Sequence, residues 1–262
     1  MTERTRSPVV AGAFYPADPD ELAVLVDRLL REARPAEPAV RPRALIVPHA
    51  GYEYSGPVAA SAYALLGGAS ISHVVLLGPA HFVPLGGATV SGTAAWATPL
   101  GHVPIDDDLR ARAVDAGARM NDRAHELEHS LEVQLPFLQR ALTAPFTVVP
   151  IVVGASEAAP IGDLIDALGG PDTLVVISTD LSHYHDAATA RRLDRRTADA
   201  VLACDPGSIG PEDACGVFAL RGIVELARRR SCQIRLLDLR NSADTAGDPG
   251  RVVGYGAFAV DA

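Results

Sequence analysis

The sequence predicts an α/β fold, a three-layer domain with helices on both faces of a largely parallel central sheet. Short, uncharged apolar runs alternate with helical patterns along most of the chain, the runs are as continuous as strands buried on both faces, and Gly and Pro separate the two patterns. The first strand is expected over Arg43–Val47, followed by a helix over Pro57–Leu66 that Ser55 can cap with Pro57 in its first turn. His73–Leu77 and Phe146–Val153 read as further strands, the second leading into a helix over Ala158–Leu168 that Gly169-Gly170-Pro171 stops. Between them, Gly86–Ile105 reads as short strands and turns around Trp96, Pro99 and Gly101, a hairpin excursion beside the site, and Ser130–Leu142 as a helix. Thr173–Ile177 is a strand, Thr189–Leu202 and Pro211–Arg229 are helices, and Gln233–Leu239 and Val252–Val260 close the sheet. Glu32–Arg43 is a Pro/Ala/Arg-rich connector and Ser242–Gly250 a Gly/Asp-rich turn region.

Composition narrows the function. At 262 residues the chain can bury a large α/β core, and with 23 Lys and Arg against 32 Asp and Glu its net charge of −9 draws it toward neither nucleic acid nor anionic lipid. No run approaches the roughly 18 apolar residues needed to span a bilayer, and Met1–Ser7 is polar, so a cytoplasmic protein without a membrane partner is expected. Cys204, Cys215 and Cys232 show no CxxC spacing, which suits reduced thiols better than a disulfide framework.

The chemistry gathers at strand exits. His49 follows the first apolar run, His81 follows Val74–Ala80, and Ser178–His185 brings Asp180, His183 and His185 to the exit of a third strand. In open α/β sheets such exits share one crevice, so two imidazoles there can build a metal or acid–base site. Taken singly, His49 also reads as a turn histidine, His81 as a core-edge residue and Asp180 as a turn cap. Cys215 adds a soft donor, placed by the expected helix from Pro211 near amides that favour thiolate and beside Glu212 and Asp213, which oppose it; it also reads as a small buried side chain.

A competing pattern is His125-Glu126-Leu127-Glu128-His129, which fits H-E-x-x-H and on one helix would hold zinc for a hydrolase. It lacks a downstream third ligand. The other reading puts Glu128 and His129 at the start of the Ser130–Leu142 helix, with His129 reaching the crevice.

Several ordered segments resemble signatures of the Memo family, known in prokaryotes as AmmeMemoRadiSam system protein B. They are Arg6 with Val10–Pro16, Pro48–Gly56, Leu77–His81, Thr98–Gly101, Glu128–Glu132, Ser178–His183, Cys215-Gly216 and Val253–Gly256, and the resemblance runs from about Pro8 to Val260. The resemblance implies one domain over residues 1–262, similar to class III extradiol ring-cleaving dioxygenases, with a mononuclear metal held by His49, His81 and Cys215. It places Asp180, His183 and His129 around the metal as catalytic candidates; Tyr52 is a further candidate for lining the pocket. Iron(II) is the first expectation, with copper or zinc as alternatives, and the implied activity is a dioxygenase-like oxidoreductase. The alternative is a non-catalytic protein that binds a peptide or small molecule, or carries metal. The family's system name also suggests AMMECR-type and radical S-adenosylmethionine partners.

Overall fold

The computed structural model describes residues 4–33 and 41–261; residues 34–40 of the expected connector therefore lie outside the described residues. The main sheet contains Ala44–Val47 (β1), His73–Pro79 (β2), Ala88–Val90 (β3), Arg119–Met120 (β4), Thr147–Val153 (β5), Thr173–Ser178 (β6), His183–His185 (β7), Gln233–Asn241 (β8) and Val252–Asp261 (β9). Its order is β7-β9-β1-β6-β2-β5-β3-β4, with β8 also paired to β9. The centre is parallel: β1 pairs with β6, β6 with β2 and β2 with β5, whereas β9 and β3 flank this core antiparallel.

The residues explain the layering. Ala-Leu-Ile-Val in β1 and Thr-Val-Val-Pro-Ile-Val-Val in β5 are apolar on both faces, and Val and Ile fit a pleated surface well. Alternate positions then feed opposite cores, Leu45, Val47, Val74 and Leu76 on one side and Ala44, Ile46, Val75 and Leu77 on the other. Side chains from helices Pro19–Glu32, Tyr52–Tyr63 and Leu135–Ala141 fill the first core, and those from Ala158–Leu168 and Val217–Arg230 the second. The expected three-layer architecture with a largely parallel sheet is the one observed.

Several boundaries differ for local reasons. The first expected helix starts at Tyr52 rather than Pro57, with Gly51 as N-cap; Ser55 instead donates its hydroxyl to the Ala50 carbonyl, and Pro57 sits inside the helix. The Ser130–Leu142 helix is a 3₁₀ turn, Glu132–Gln134, running into the short α-helix Leu135–Ala141. The expected Pro211–Arg229 helix begins only at Val217, because residues 211–214 turn back on themselves first. Within Gly86–Ile105, β3 joins the main sheet, while Ala95–Thr98 and Gly101–Pro104 form a hairpin that pairs with Thr5–Arg6 in a separate three-stranded sheet. Trp96 from that hairpin is fully buried under the Arg6 guanidinium, 4.2 Å from its ring centroid, and lies apart from the site cavity.

Arg6 also anchors the N-terminal segment. Its guanidinium donates to the carbonyls of His125 and Glu128 and to the carboxylate of Glu132 at 2.8 Å, and Glu132 also accepts from the Val9 and Val10 amides and the Tyr15 hydroxyl. Both partners of this ion pair are buried, so removing one leaves the other charge desolvated and unpaired. Glu132→Ala should therefore lower the unfolding free energy by about 3–5 kcal/mol, read as a shift in the urea midpoint, and Arg6→Ala should cost a similar amount.

Candidate metal centre

The three neighbouring parallel strands β1, β6 and β2 end on the same side, and their next residues deliver His49, Asp180 and His81 to one crevice. A fourth segment brings Cys215 there. Its backbone amide donates to the Asp180 carbonyl, and the Gly216 amide donates to Thr179 Oγ1 at 2.9 Å. Gly216 is required for this approach, because a Cβ there would stand 2.8 Å from the Ser178 carbonyl and from the Thr179 side chain.

Donor atoms of His49, His81 and Cys215 all lie within 4.8 Å of one another, with Cys215 Sγ 3.3 Å from His49 Nε2. A single ion with bonds of about 2.0–2.3 Å to imidazole nitrogen and thiolate sulfur can bridge donors at such separations. His81, Glu128 and His129 form a second group of this kind. In that group the carboxylate is already engaged: Glu128 accepts from the His81 amide at 2.7 Å, from His81 Nδ1 at 2.8 Å and from the Ser130 amide at 3.0 Å. The carboxylate supports the first group by holding the hydrogen on His81 Nδ1, which leaves Nε2 as the donor atom.

Burial sets the ionisation states. His49 is held well below the ordinary imidazole value by burial, reinforced by the neighbouring His81 and His129 rings, and so stays neutral with a lone pair to offer. Burial, with the Asp180 carboxylate beside it, pushes the Cys215 thiol up. The helix-terminus argument for a thiolate therefore does not hold, since the helix begins beyond Cys215 and burial outweighs it; a bound cation would have to displace the thiol proton. Burial also raises Asp180, despite the His49 amide that donates to its Oδ1 at 2.7 Å. Burial works against ionised Glu128 too, but the bonds from His81 and Ser130 outweigh it and hold the carboxyl at about 2.

The other expected residues take distinct places. His129 stacks on His81 with ring centroids 4.9 Å apart, Phe14 packs edge-on against His129, and His183 donates from Nδ1 to the Leu181 carbonyl at 2.8 Å. With His49, His81, Asp180 and Cys215, these residues line a cavity of about 910 Å³. Tyr52 is not part of its wall; the hydroxyl is buried and donates to the Val133 carbonyl. The H-E-x-x-H reading fails on backbone geometry, because the helix carrying it ends at Glu126. His125 turns instead toward Trp96, with ring centroids 6.0 Å apart, while His129 turns to His81. A zinc-hydrolase pair therefore does not form. Ser178 and Gln134 also stand behind His49, Ser178 Oγ 2.9 Å from its Nδ1 and Gln134 Nε2 2.8 Å from Ser178 Oγ, and nothing in the local sequence marks either contact.

The family model described as Memo-like protein matches residues 6–259. A MEMO1 family protein from Aquifex aeolicus is 39% identical, covering 96% of this chain and 97% of that one. Another from Methanopyrus kandleri is 37% identical over 97% of this chain and 98% of its own length. Among solved structures, an uncharacterized protein, JW3007 from Escherichia coli K12, superposes with a TM-score of 0.55 at 13% identity, covering 84% of this chain and 100% of that one, a likeness of fold.

His125 yields a pH prediction. Burial holds its pKa at about 4, against an ordinary 6.5, and its ring nitrogens have no partner among the described residues. Between those two values the unfolded chain takes up a proton that the folded chain refuses. The contribution of neutral His125 is thus fully present above pH 6.5 and is lost as pH falls toward 4. Unfolding free energy should drop by about 3 kcal/mol more across that window in the parent than in His125→Leu, measured by urea denaturation at a series of pH values.

Proposed function

Because this chain belongs to the Memo family, we propose that His49, His81 and Cys215 hold one metal ion and that the protein is a metal-dependent, dioxygenase-like oxidoreductase. The observation that carries this reading is the approach of two imidazoles and a thiol to within 4.8 Å of one another at the wall of an approximately 910 Å³ cavity, a size suited to a small organic substrate. A His₂Cys donor set is softer than an all-oxygen or carboxylate site, which favours iron(II), copper or zinc over magnesium or calcium; iron(II) is the first choice for redox work. When bound, the ion would supply Lewis acidity and electron transfer.

The residues around it divide the remaining tasks. His183 spends Nδ1 on the Leu181 carbonyl, so Nε2 is the ring atom left to accept or return a proton. Asp180 orients the His49 backbone through its amide and, being pushed toward the neutral form by burial, can hold a proton near the centre. His129, stacked on His81 and flanked by Phe14, closes one side of the pocket and can hydrogen-bond a substrate. Cooperation with AMMECR-type and radical S-adenosylmethionine proteins belongs to the same proposal, and the gene neighbourhood tests it directly.

Protein purified without oxygen should retain iron, copper or zinc, identified by elemental analysis, and a His49→Ala/His81→Ala double variant should lose it. Equal metal content in the two preparations overturns the assignment. If metal is lost but binding of a small molecule or peptide survives chelation of the parent, the crevice is a binding site rather than a redox centre.

A further inference from the structure

A chain of hydrogen bonds behind His49 has one self-consistent arrangement of hydrogens. Gln134 Nε2 lies 3.0 Å from the Pro48 carbonyl and 2.8 Å from Ser178 Oγ, while its Oε1 lies 2.9 Å from the Tyr63 hydroxyl. A carbonyl only accepts, so the amide nitrogen must face Pro48, and its second hydrogen goes to Ser178. Ser178 Oγ also lies 2.7 Å from the Ser130 carbonyl, which must receive the serine's only hydrogen. The remaining contact of Ser178 Oγ is His49 Nδ1 at 2.9 Å; with its hydrogen spent, the oxygen can only accept there, so Nδ1 must carry a hydrogen.

We propose that Ser178 and Gln134 are positioning residues that select the Nδ1–H tautomer of His49 and thereby aim its Nε2 lone pair at Cys215 and His81. The inference rests on the metal centre proposed above and deepens it. His49 Nε2 then meets Cys215 Sγ at 3.3 Å as an acceptor. His81 reaches the same tautomer through a different device, the Glu128 carboxylate on its Nδ1. One ring is thus backed by a negative charge and the other by a neutral hydroxyl. Gln134 acts on both the ring and the backbone, since its amide also fixes the carbonyl of the residue preceding His49. His49, Ser178 and Gln134 are all buried, so no solvent can substitute for a missing partner among them.

The test begins with metal-free, ¹⁵N-labelled protein and two-bond proton–nitrogen correlation spectra of the histidine rings. His49 should show hydrogen on Nδ1 and a bare Nε2; an Nε2–H ring in the parent overturns the proposal, whatever any variant does. Ser178→Ala should shift His49 toward the Nε2–H form and raise the Kd for cobalt(II), followed by its thiolate absorption, by roughly 10–100-fold. Ser178→Thr, which keeps the hydroxyl, should restore both. An Ala variant with unchanged tautomer and unchanged Kd refutes the role of Ser178, and Gln134→Met with both readings unchanged refutes that of Gln134. If Ser178→Ala does not fold, the parent spectrum and Gln134→Met still decide. A parent with the Nδ1–H ring but no affinity for cobalt(II) would overturn the metal centre and leave the tautomer control standing.

Discussion

Removing polar groups from water without leaving them unpartnered is the constraint on which this end of the sheet depends. Glu128 and Ser178 are fully buried, and each meets it by making three hydrogen bonds to groups that belong to different parts of the chain. An unsatisfied polar atom in that environment costs several times what a hydrogen bond adds on the surface. The network therefore locks as a unit, joining the exits of β1, β2 and β6 to the segment that runs from Glu128 to Gln134. That segment fits because Gly78, near the end of β2, has no side chain; a Cβ there would lie 2.8 Å from Ser130 Oγ and from Leu131.

The same segment is held from its other side. Glu132 collects Arg6, Tyr15 and two backbone amides, so the N-terminal residues are tied to the strip that carries Glu128 and His129. Phe14 follows from this anchoring, since its neighbour Tyr15 is fixed and its ring then meets His129 edge-on at 4.9 Å. Residues more than a hundred positions apart in the chain thus share the wall of one cavity. Rigid placement of this kind suits a metal ligand set, which tolerates displacements of only a few tenths of an ångström.

Part of the centre was legible before any coordinates. The strand exits were, because parallel strands buried on both faces read as continuous apolar runs, and polar residues directly after such runs have one crevice to enter. His49, His81 and Asp180 come from that rule alone; Cys215, read from its own segment as either a soft donor or a small buried side chain, was joined to them by the family resemblance. The start of the Val217–Arg230 helix was not legible, since residues 211–214 carry helix-compatible acids and alanine, yet a local turn pairing Asp213 with Gly210 and the tertiary bond from the Cys215 amide to the Asp180 carbonyl keep them out of the helix. The H-E-x-x-H pattern misled for a related reason: spacing along a chain implies spacing in space only while the helix continues, and here it ends at Glu126.

The sequence by itself determined the layered α/β architecture, the rank of strands whose ends face the crevice, and the donor types that arrive there, because periodicity and burial are local properties that side-chain chemistry dictates. Tertiary structure alone decided that Ser178 Oγ stands against Nδ1 of His49 and the Glu128 carboxylate against Nδ1 of His81, that burial works against a charged Cys215, and that His125 packs against Trp96. These properties depend on contacts between segments remote in sequence and on how completely water is excluded from them. Neither can be read from the order of residues along the chain.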